Sequence, residues 1–516
     1  MPTSPRLRSR LTTLLCVVGL LAAGFATCAA APARAYVFRL GVTATTHGPS
    51  VPANFLGLAL EFSEIPRLAD QTPQSVNPLF AQLLKNLDPA GRPSIRIGGQ
   101  STDRAWWPVR GIAQPPGVTY DLTSTWSAAA RALAQATDAQ YLLGINLEAN
   151  RTRISQVEAG HLVKGIGSRY LAALEIGNEP DLYTLIPWYR RAGGDPLPWY
   201  SHDGTPVFSR APSYGPQSYV DEVTRTLKVV PRIPIAGPET GSPPWADAFD
   251  RLVSPRSRVR MLTSHAYGLN QCVTDPASPL YPSVPNLVSL AASRDEVSQI
   301  GPYVSLAHRN GAAYRIDEMG SVSCNGRHGV SDTLASALWV MDALFTMASD
   351  GVDGVNLHTY SNSVNGLFDF STARGQPSAS VHPLYYGTLM FAQAAPPGSR
   401  LLRVVSTSHG PLRAWATLAP DHHVRVLLIN DSLTSSAQAV VRTPAAPGPA
   451  SLERLRASSA YATAGLTLGG QTFGAATSTG VLPSAVAQAV TPHGGTYSVT
   501  LPAGSAALLA LPASGG

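Results

Sequence analysis

Between residues 54 and 394 the apolar positions follow two alternating rhythms. Short continuous apolar runs are separated by stretches in which apolar residues recur every three or four positions. The first kind reads as buried strand and the second as amphipathic helix. Their alternation predicts a parallel sheet covered by helices. Eight candidate strands fall at 54–62, 93–99, 140–147, 171–178, 234–238, 259–265, 312–317 and 354–358. Eight such units predict an α/β fold of the (β/α)8 TIM-barrel type. An open doubly wound sheet is the rival, but no GxGxxG follows the first strand. Asn77 before Pro78 predicts a helix start. Ser331 is read as the cap of a later helix in which Leu334, Leu338, Met341 and Phe345 recur, with Gly351 at its end. A long insert at 182–216, rich in Tyr, Trp, Pro and Gly, leaves the carboxyl end of the fourth strand. It reads either as a ligand-facing loop or as decoration.

From about residue 400 the helical spacing disappears. Short β-rich runs at 401–406, 412–417, 424–429, 438–441, 496–501 and 506–511 are separated by Ser, Thr, Gly and Pro. This predicts a C-terminal β-sandwich. A further strand candidate at 36–43 precedes the first barrel strand and is expected to join that sandwich. The expected division is a leader at 1–35, an N-terminal strand segment at 36–53, a barrel at 54–395 and a sandwich at 396–516.

The leader changes the reading of charge. Arg6, Arg8 and Arg10 precede an apolar stretch at 11–25, and Ala33-Arg34-Ala35 has the form of a cleavage site. A signal peptide and export to the extracellular space are expected; an uncleaved anchor needs a longer apolar stretch. The formal charge falls from +6 to +2 once the leader's four arginines are removed. The mature chain therefore gives no electrostatic case for nucleic-acid partners, and none for a membrane after cleavage. With 44% hydrophobic and 14% charged residues the composition is that of a folded chain. Cys272 and Cys324 both follow predicted barrel strands. In an exported chain they are expected to form a disulfide, free buried thiols being the alternative. No CxxC, HExxH or His/Cys cluster has zinc spacing.

The chemistry lies at strand ends. The fourth strand ends in Asn178-Glu179-Pro180, and the seventh delivers Glu318 to the same rim. Either acid alone reads as a solvated strand end or a salt-bridge partner. Two carboxylates on one rim can divide the work of glycosidic cleavage, one protonated and one ionised. Arg96 and Glu175 lie inside strands, where an unpaired charge is costly. Glu175 shares a face with Glu179, so Arg96 is expected to pair with Glu175 or Glu318 as structural support. Asp317 is expected to face away from Glu318. His265 and His358 are read as hydrogen-bonded wall residues.

Several segments together resemble glycoside hydrolase family 79, the β-glucuronidase and heparanase group of the retaining clan A barrels. They are Phe55-Leu56-Gly57-Leu58-Ala59-Leu60-Glu61-Phe62, Ile95-Arg96-Ile97-Gly98-Gly99-Gln100-Ser101-Thr102-Asp103 and Glu175-Ile176-Gly177-Asn178-Glu179-Pro180-Asp181. His265-Ala266-Tyr267, Glu318 with Gly329-Val330-Ser331-Asp332-Thr333, and His382-Pro383-Leu384-Tyr385-Tyr386-Gly387 continue the pattern. The resemblance implies Glu179 as acid/base and Glu318 as nucleophile. It implies Asn178 as partner of the sugar 2-OH, Tyr267 as donor to Glu318, and Glu61 and Asp103 as binders of sugar hydroxyls. A core aromatic for Tyr267 and local loop bonds for Glu61 and Asp103 are the alternatives. The tyrosine that the family uses after the nucleophile is missing from Ser323-Cys324-Asn325-Gly326, and Tyr360 is a substitute donor for a uronate. Gln100 stands where Asn is common. The implied enzyme is an exported β-glucuronidase acting on glucuronic acid or its 4-O-methyl form. It would use no cofactor or metal and have a carbohydrate as partner. A clan A hydrolase for a neutral sugar (a β-glucosidase, β-xylosidase or arabinofuranosidase) and a non-catalytic carbohydrate-binding protein are the alternatives.

Overall fold

In a computed structural model the described residues are 36–512, apart from 90, 243, 244, 246, 247, 249, 255, 374, 375, 408, 409 and 445–447. The expected signal peptide at 1–35 lies outside them.

Eight parallel strands close into a barrel. In chain order they are Leu56–Glu61, Ser94–Gly98, Gln140–Ile145, Leu171–Ile176, Ile235–Thr240, Val259–Asn270, Ala313–Ser323 and Gly354–His358. Each overlaps its predicted run. Closure is made where the eighth strand pairs the first, Val355 to Leu56 through His358 to Ala59. The near-continuous apolar runs follow from burial on both faces, against barrel interior and covering helices. The sixth and seventh strands run further than expected, because Leu269 with Val322 and Asn270 with Ser323 keep pairing above the rim. The Cys272–Cys324 disulfide ties them just beyond those pairs.

The barrel interior is polar as well as apolar. Near its base Arg315 donates from Nη2 to Asn54 O at 3.1 Å, and its Nε meets Asn356 Oδ1. Higher up Arg96 fills the axis. Gly98 makes room for it: a Cβ there would stand 2.7 Å from Arg96 Cζ.

Asn77 caps the helix Pro78–Leu87 as predicted, its Oδ1 accepting from Leu79 N and Phe80 N. The expected cap at Ser331 is corrected. The helix Leu334–Ser349 starts after Thr333, and Ser331 Oγ instead accepts from Arg327 N, closing the preceding turn. This helix is buried on all sides from Leu334 to Ala348, which explains an apolar pattern wider than one face. One side meets the barrel. The other meets the C-terminal sheet, where Phe345 stacks on Trp415 with centroids 5.4 Å apart.

That sheet has ten strands. Tyr36–Ser50 lies within it, parallel to Ala437–Arg442 and antiparallel to Arg400–Ser406. The sheet carries a core of its own, with Leu40, Val426, Val441, Val499 and Leu509 among its members. Its opposite face, including Leu427, Ile429 and Leu508, joins the barrel core. Three strands were not anticipated: Ala450–Arg456, Thr467–Leu468 and Gln488–Val490. In Ala450–Arg456 the buried positions 450, 452 and 455 mix spacings of two and three, which blurs the strand signal. The 182–216 insert forms a small sheet of Tyr189–Ala192, Asp195–Leu197 and Thr205–Val207.

The close approach of Leu334–Ser349 to Pro383–Ala394 rests on Gly387, where a Cβ would stand 2.7 Å from Ala337 Cα. Gly387→Ala should therefore destabilise the protein by about 1–3 kcal/mol through overpacking, read as a lower urea midpoint. Gly160→Ala, at an open position in Thr152–Ile166, should not destabilise it.

Candidate active site

The site is assembled from strand ends. After Leu171–Ile176 the backbone turns through two left-handed residues, Gly177 (φ 89°) and Glu179 (φ 47°). Such strain in a non-glycine residue needs support. The support is a hydrogen bond from Glu179 N to Glu239 O at 2.9 Å, from the end of the fifth strand. The Glu179 carboxylate accepts from Gln100 Nε2 at 3.0 Å, and its other oxygen lies 3.0 Å from His265 Nδ1.

Glu318 faces it across the rim. Arg96 Nη1 donates to one oxygen at 2.6 Å and Tyr267 OH to the other at 2.7 Å. His358 Nδ1 lies 3.3 Å from the latter oxygen. Glu179, His265 and Glu318 each place one ligand-type atom within 4.8 Å of the other two. Burial opposes ionisation of Glu318, but His358, His265 and Arg96 outweigh it and hold the carboxyl well below its usual range. The histidines respond in kind. Burial disfavours their charge, yet Glu318, Glu179 and Asp317 carry His265 up to about 9. Glu318 and Glu61 carry His358 up to about 10. Burial and the neighbouring Glu318 keep the Tyr267 phenol well above its ordinary value, protonated and able to donate.

Beneath the rim Arg96 bonds more acids than expected. It reaches Glu175 at 3.0 Å and Glu239 at 2.8 Å as well as Glu318, and it donates to Asn178 Oδ1 at 2.8 Å. Glu239 was not foreseen, because the predicted fifth strand ended at Pro238. Burial, with Glu175 beside it, pushes its carboxyl well above the usual range. Glu175, Glu239 and Asp317 could converge on a cation, but the Arg96 guanidinium already serves all three.

Asp317 corrects the alternation argument. Ser264 pairs with Ile316, yet His265 pairs with Glu318. On the other side Ile316 pairs with Val355 and Met319 with Leu357. Asp317 is the extra residue of a bulge. Simple alternation fails there, and its side chain reaches within 3.8 Å of Arg96 Nε, inside the barrel.

Asp103 is held chiefly by backbone amides, in keeping with the alternative to sugar binding. One carboxylate oxygen accepts from Leu147 N and Glu148 N, the other from Asn178 N and Tyr183 OH. With these bonds made it orients the Asn178 backbone and has little capacity left for a sugar hydroxyl. Glu61 accepts from Ser101 N at 2.9 Å and lies 3.2 Å from His358 Nε2, so His358 links it to Glu318. Tyr360 packs on His358 with centroids 5.1 Å apart. His265 and His358 are thus part of the constellation; their positions at the ends of the sixth and eighth strands were the available signal. The insert borders the site: Leu182, Tyr183 and Ile186 line a small pocket with Gln100, Asn178 and Glu179.

Known proteins resemble this chain in sequence and in fold. The model described as the glycosyl hydrolase family 79 C-terminal beta domain matches residues 414–508. A beta-glucuronidase of Aspergillus niger is 26% identical over 475 residues, covering 81% of this chain and 82% of that protein. A beta-glucuronidase of Neurospora crassa is 24% identical over 449 residues, covering 78% and 76%. Among solved structures, a 4-O-alpha-L-rhamnosyl-beta-D-glucuronidase from Fusarium oxysporum superposes with a TM-score of 0.68 at 19% identity, covering 91% of this chain and 100% of that one. An arabinofuranosidase from Xanthomonas axonopodis pv. citri has a TM-score of 0.64 at 16% identity, with coverage of 92% and 100%. These solved structures share the fold.

Arg96→Met should cost about 3–5 kcal/mol of unfolding free energy, because it leaves buried carboxylates without their cation. Arg92→Met, in the exposed pair with Asp138, should cost less than about 1 kcal/mol. Urea unfolding of the two variants checks the contrast.

Proposed function

We propose, from its membership of glycoside hydrolase family 79, that this chain is a retaining β-glucuronidase that releases terminal β-linked glucuronic acid, or its 4-O-methyl form, by double displacement. The observation that carries the mechanism is the approach of Glu179 and Glu318 oxygens to within 4.8 Å. Direct attack by a carboxylate requires a separation near ~5 Å, and an inverting pair stands further apart.

The two environments divide the roles. Glu318, held ionised by Arg96, Tyr267 and two histidines, is the nucleophile that bonds to the anomeric carbon. Glu179, with fewer cationic contacts and more exposure, is the acid that protonates the departing oxygen. It then takes the proton from the water that releases the sugar. Asn178, its Oδ1 held by Arg96, has its amide nitrogen to offer the sugar 2-OH. Tyr360 is the donor proposed for the uronate. The leader at 1–35 directs export, so protein recovered from culture medium is expected to begin near Tyr36.

The mature enzyme should prefer nitrophenyl β-glucuronide to the matched glucoside and xyloside by at least about 100-fold in kcat/KM. Preference for a neutral sugar would retain the mechanism and overturn the substrate. Glu318→Ala should lose about 10⁴-fold or more of kcat; near-full activity would remove it as nucleophile. Glu318 works only when ionised, so activity falls as pH drops through its pKa. Tyr267→Phe removes a donor to the ionised form and raises that pKa. The acidic limb of the kcat/KM profile should therefore move to higher pH.

A further inference from the structure

The bulge at Asp317 puts a second carboxylate where the acid/base machinery can use it. Neither Asp317 oxygen receives a hydrogen bond, and His265 Nε2 has no hydrogen-bond partner either. These unsatisfied atoms face each other, with His265 Nε2 3.9 Å from Asp317 Oδ1. The opposite ring nitrogen, Nδ1, is the one 3.0 Å from Glu179. Both side chains are buried. Charged groups surround this line on every side. Glu179 and Glu318 face the imidazole, while Arg96, Glu175 and Glu239 face Asp317.

We propose that Asp317 is a positioning residue for the acid/base step, holding a proton on His265 Nε2 so that Nδ1 can share one with Glu179. The proposal rests on the reading of Glu179 as the acid. With His265 raised to about 9, the ring and Glu179 share one proton besides the one on Nε2. With Nε2 protonated toward Asp317, Nδ1 can pass that shared proton to Glu179 and leave the ring neutral, so Glu179 can hold the proton it must deliver. Were the neutral ring's single hydrogen on Nδ1 instead, the ring would donate to Glu179 and favour the carboxylate, which cannot act as an acid. A carboxylate opposite Nε2 selects the first form, as a buried aspartate does for the histidine of a catalytic triad. Asp317 gains and loses no proton over the cycle. Glu179 gives its proton to the leaving oxygen as Glu318 bonds to the anomeric carbon. It regains one from water as that bond breaks. Burial pushes Asp317 up to about 7 despite Arg96, so the carboxylate form is available on the alkaline side of neutrality.

A merely structural Asp317 would affect all substrates alike. A positioning residue for the acid affects only those whose leaving group needs a proton. The test is kcat/KM of full-length mature Asp317→Asn on phenyl and 2,4-dinitrophenyl β-glucuronides. The phenyl substrate should lose about 10- to 100-fold, while the dinitrophenyl substrate stays within about threefold of wild type. The basic limb for the phenyl substrate should fall by about one pH unit as the charge opposite His265 is lost. Equal losses on both substrates, or no loss on either with an unmoved limb, would overturn the proposal. Should Asp317→Asn not fold, His265→Gln must show the same split between substrates, and its absence counts equally against the idea. If the wild type cleaves neither glucuronide, the substrate reading fails instead. The same comparison is then made with the aryl glycosides it does cleave.

Discussion

One buried guanidinium organises this molecule. Arg96 has no exposed side-chain surface and contacts acids from three other barrel strands, together with the Asn178 side chain. A lone charge at the barrel axis would be prohibitively costly, and so would a cluster of carboxylates without a cation. Each makes the other tolerable, and the arrangement requires the barrel to close with these residues at one level. Glu239, Glu175, Asn178 and Glu318 reach that level only if the fourth, fifth and seventh strands keep the register they have. The packing that makes Arg96 affordable therefore also fixes where the two rim glutamates stand. Gly98 belongs to the same constraint, because a side chain there would occupy the space of the guanidinium.

Glu318 and Glu179 then differ because their surroundings differ. Glu318 receives Arg96 from below, Tyr267 and His265 from the sixth strand, and His358 from the eighth. Glu179 meets one amide and one imidazole on a strained turn. Position alone thus sets Glu318, held ionised, apart from an identical side chain with fewer cationic neighbours. Histidines serve both, which makes the rim one coupled set of protons.

Much of this was legible in the sequence. All eight barrel strands announced themselves as apolar runs, because a strand buried on both faces must be apolar nearly throughout. Glu179 and Glu318 stood out as acids at strand ends, and Arg96 as a charge where none is tolerated alone. What the sequence concealed shares a cause: it depended on backbone departures from regular geometry. The bulge that turns Asp317 inward has no signature in a run of Ile316, Asp317 and Glu318. Glu239 follows Pro238, and a proline weighed against counting the strand any further. For Asp103 the sequence left sugar binding and a loop bond both open, because its partners are amides of residues more than forty positions away. Such backbone partners leave no pattern in side-chain identities.

The helix Leu334–Ser349 shows how the second domain bears on the first. It lies between the barrel and the ten-stranded sheet, buried throughout its apolar length. Its Asp342 accepts from Trp415 Nε1 of the sheet at 2.7 Å and from Ser293 Oγ of the preceding barrel helix at 2.6 Å. The first turn is held through Leu334 N and Ala335 N, which donate to Ala462 O and Ala460 O. Those bonds satisfy amide groups that a helix start leaves free. The chain that enters this helix comes directly from the seventh strand and the disulfide loop. Anchoring the helix in the C-terminal domain therefore fixes both ends of the segment that carries Glu318. The strand Tyr36–Ser50 closes the same circuit, since it leads from the sheet directly into the first barrel strand and Glu61. On this account the sheet is part of the scaffold that holds the rim, and the barrel's first and seventh strands are among the points at which it does so.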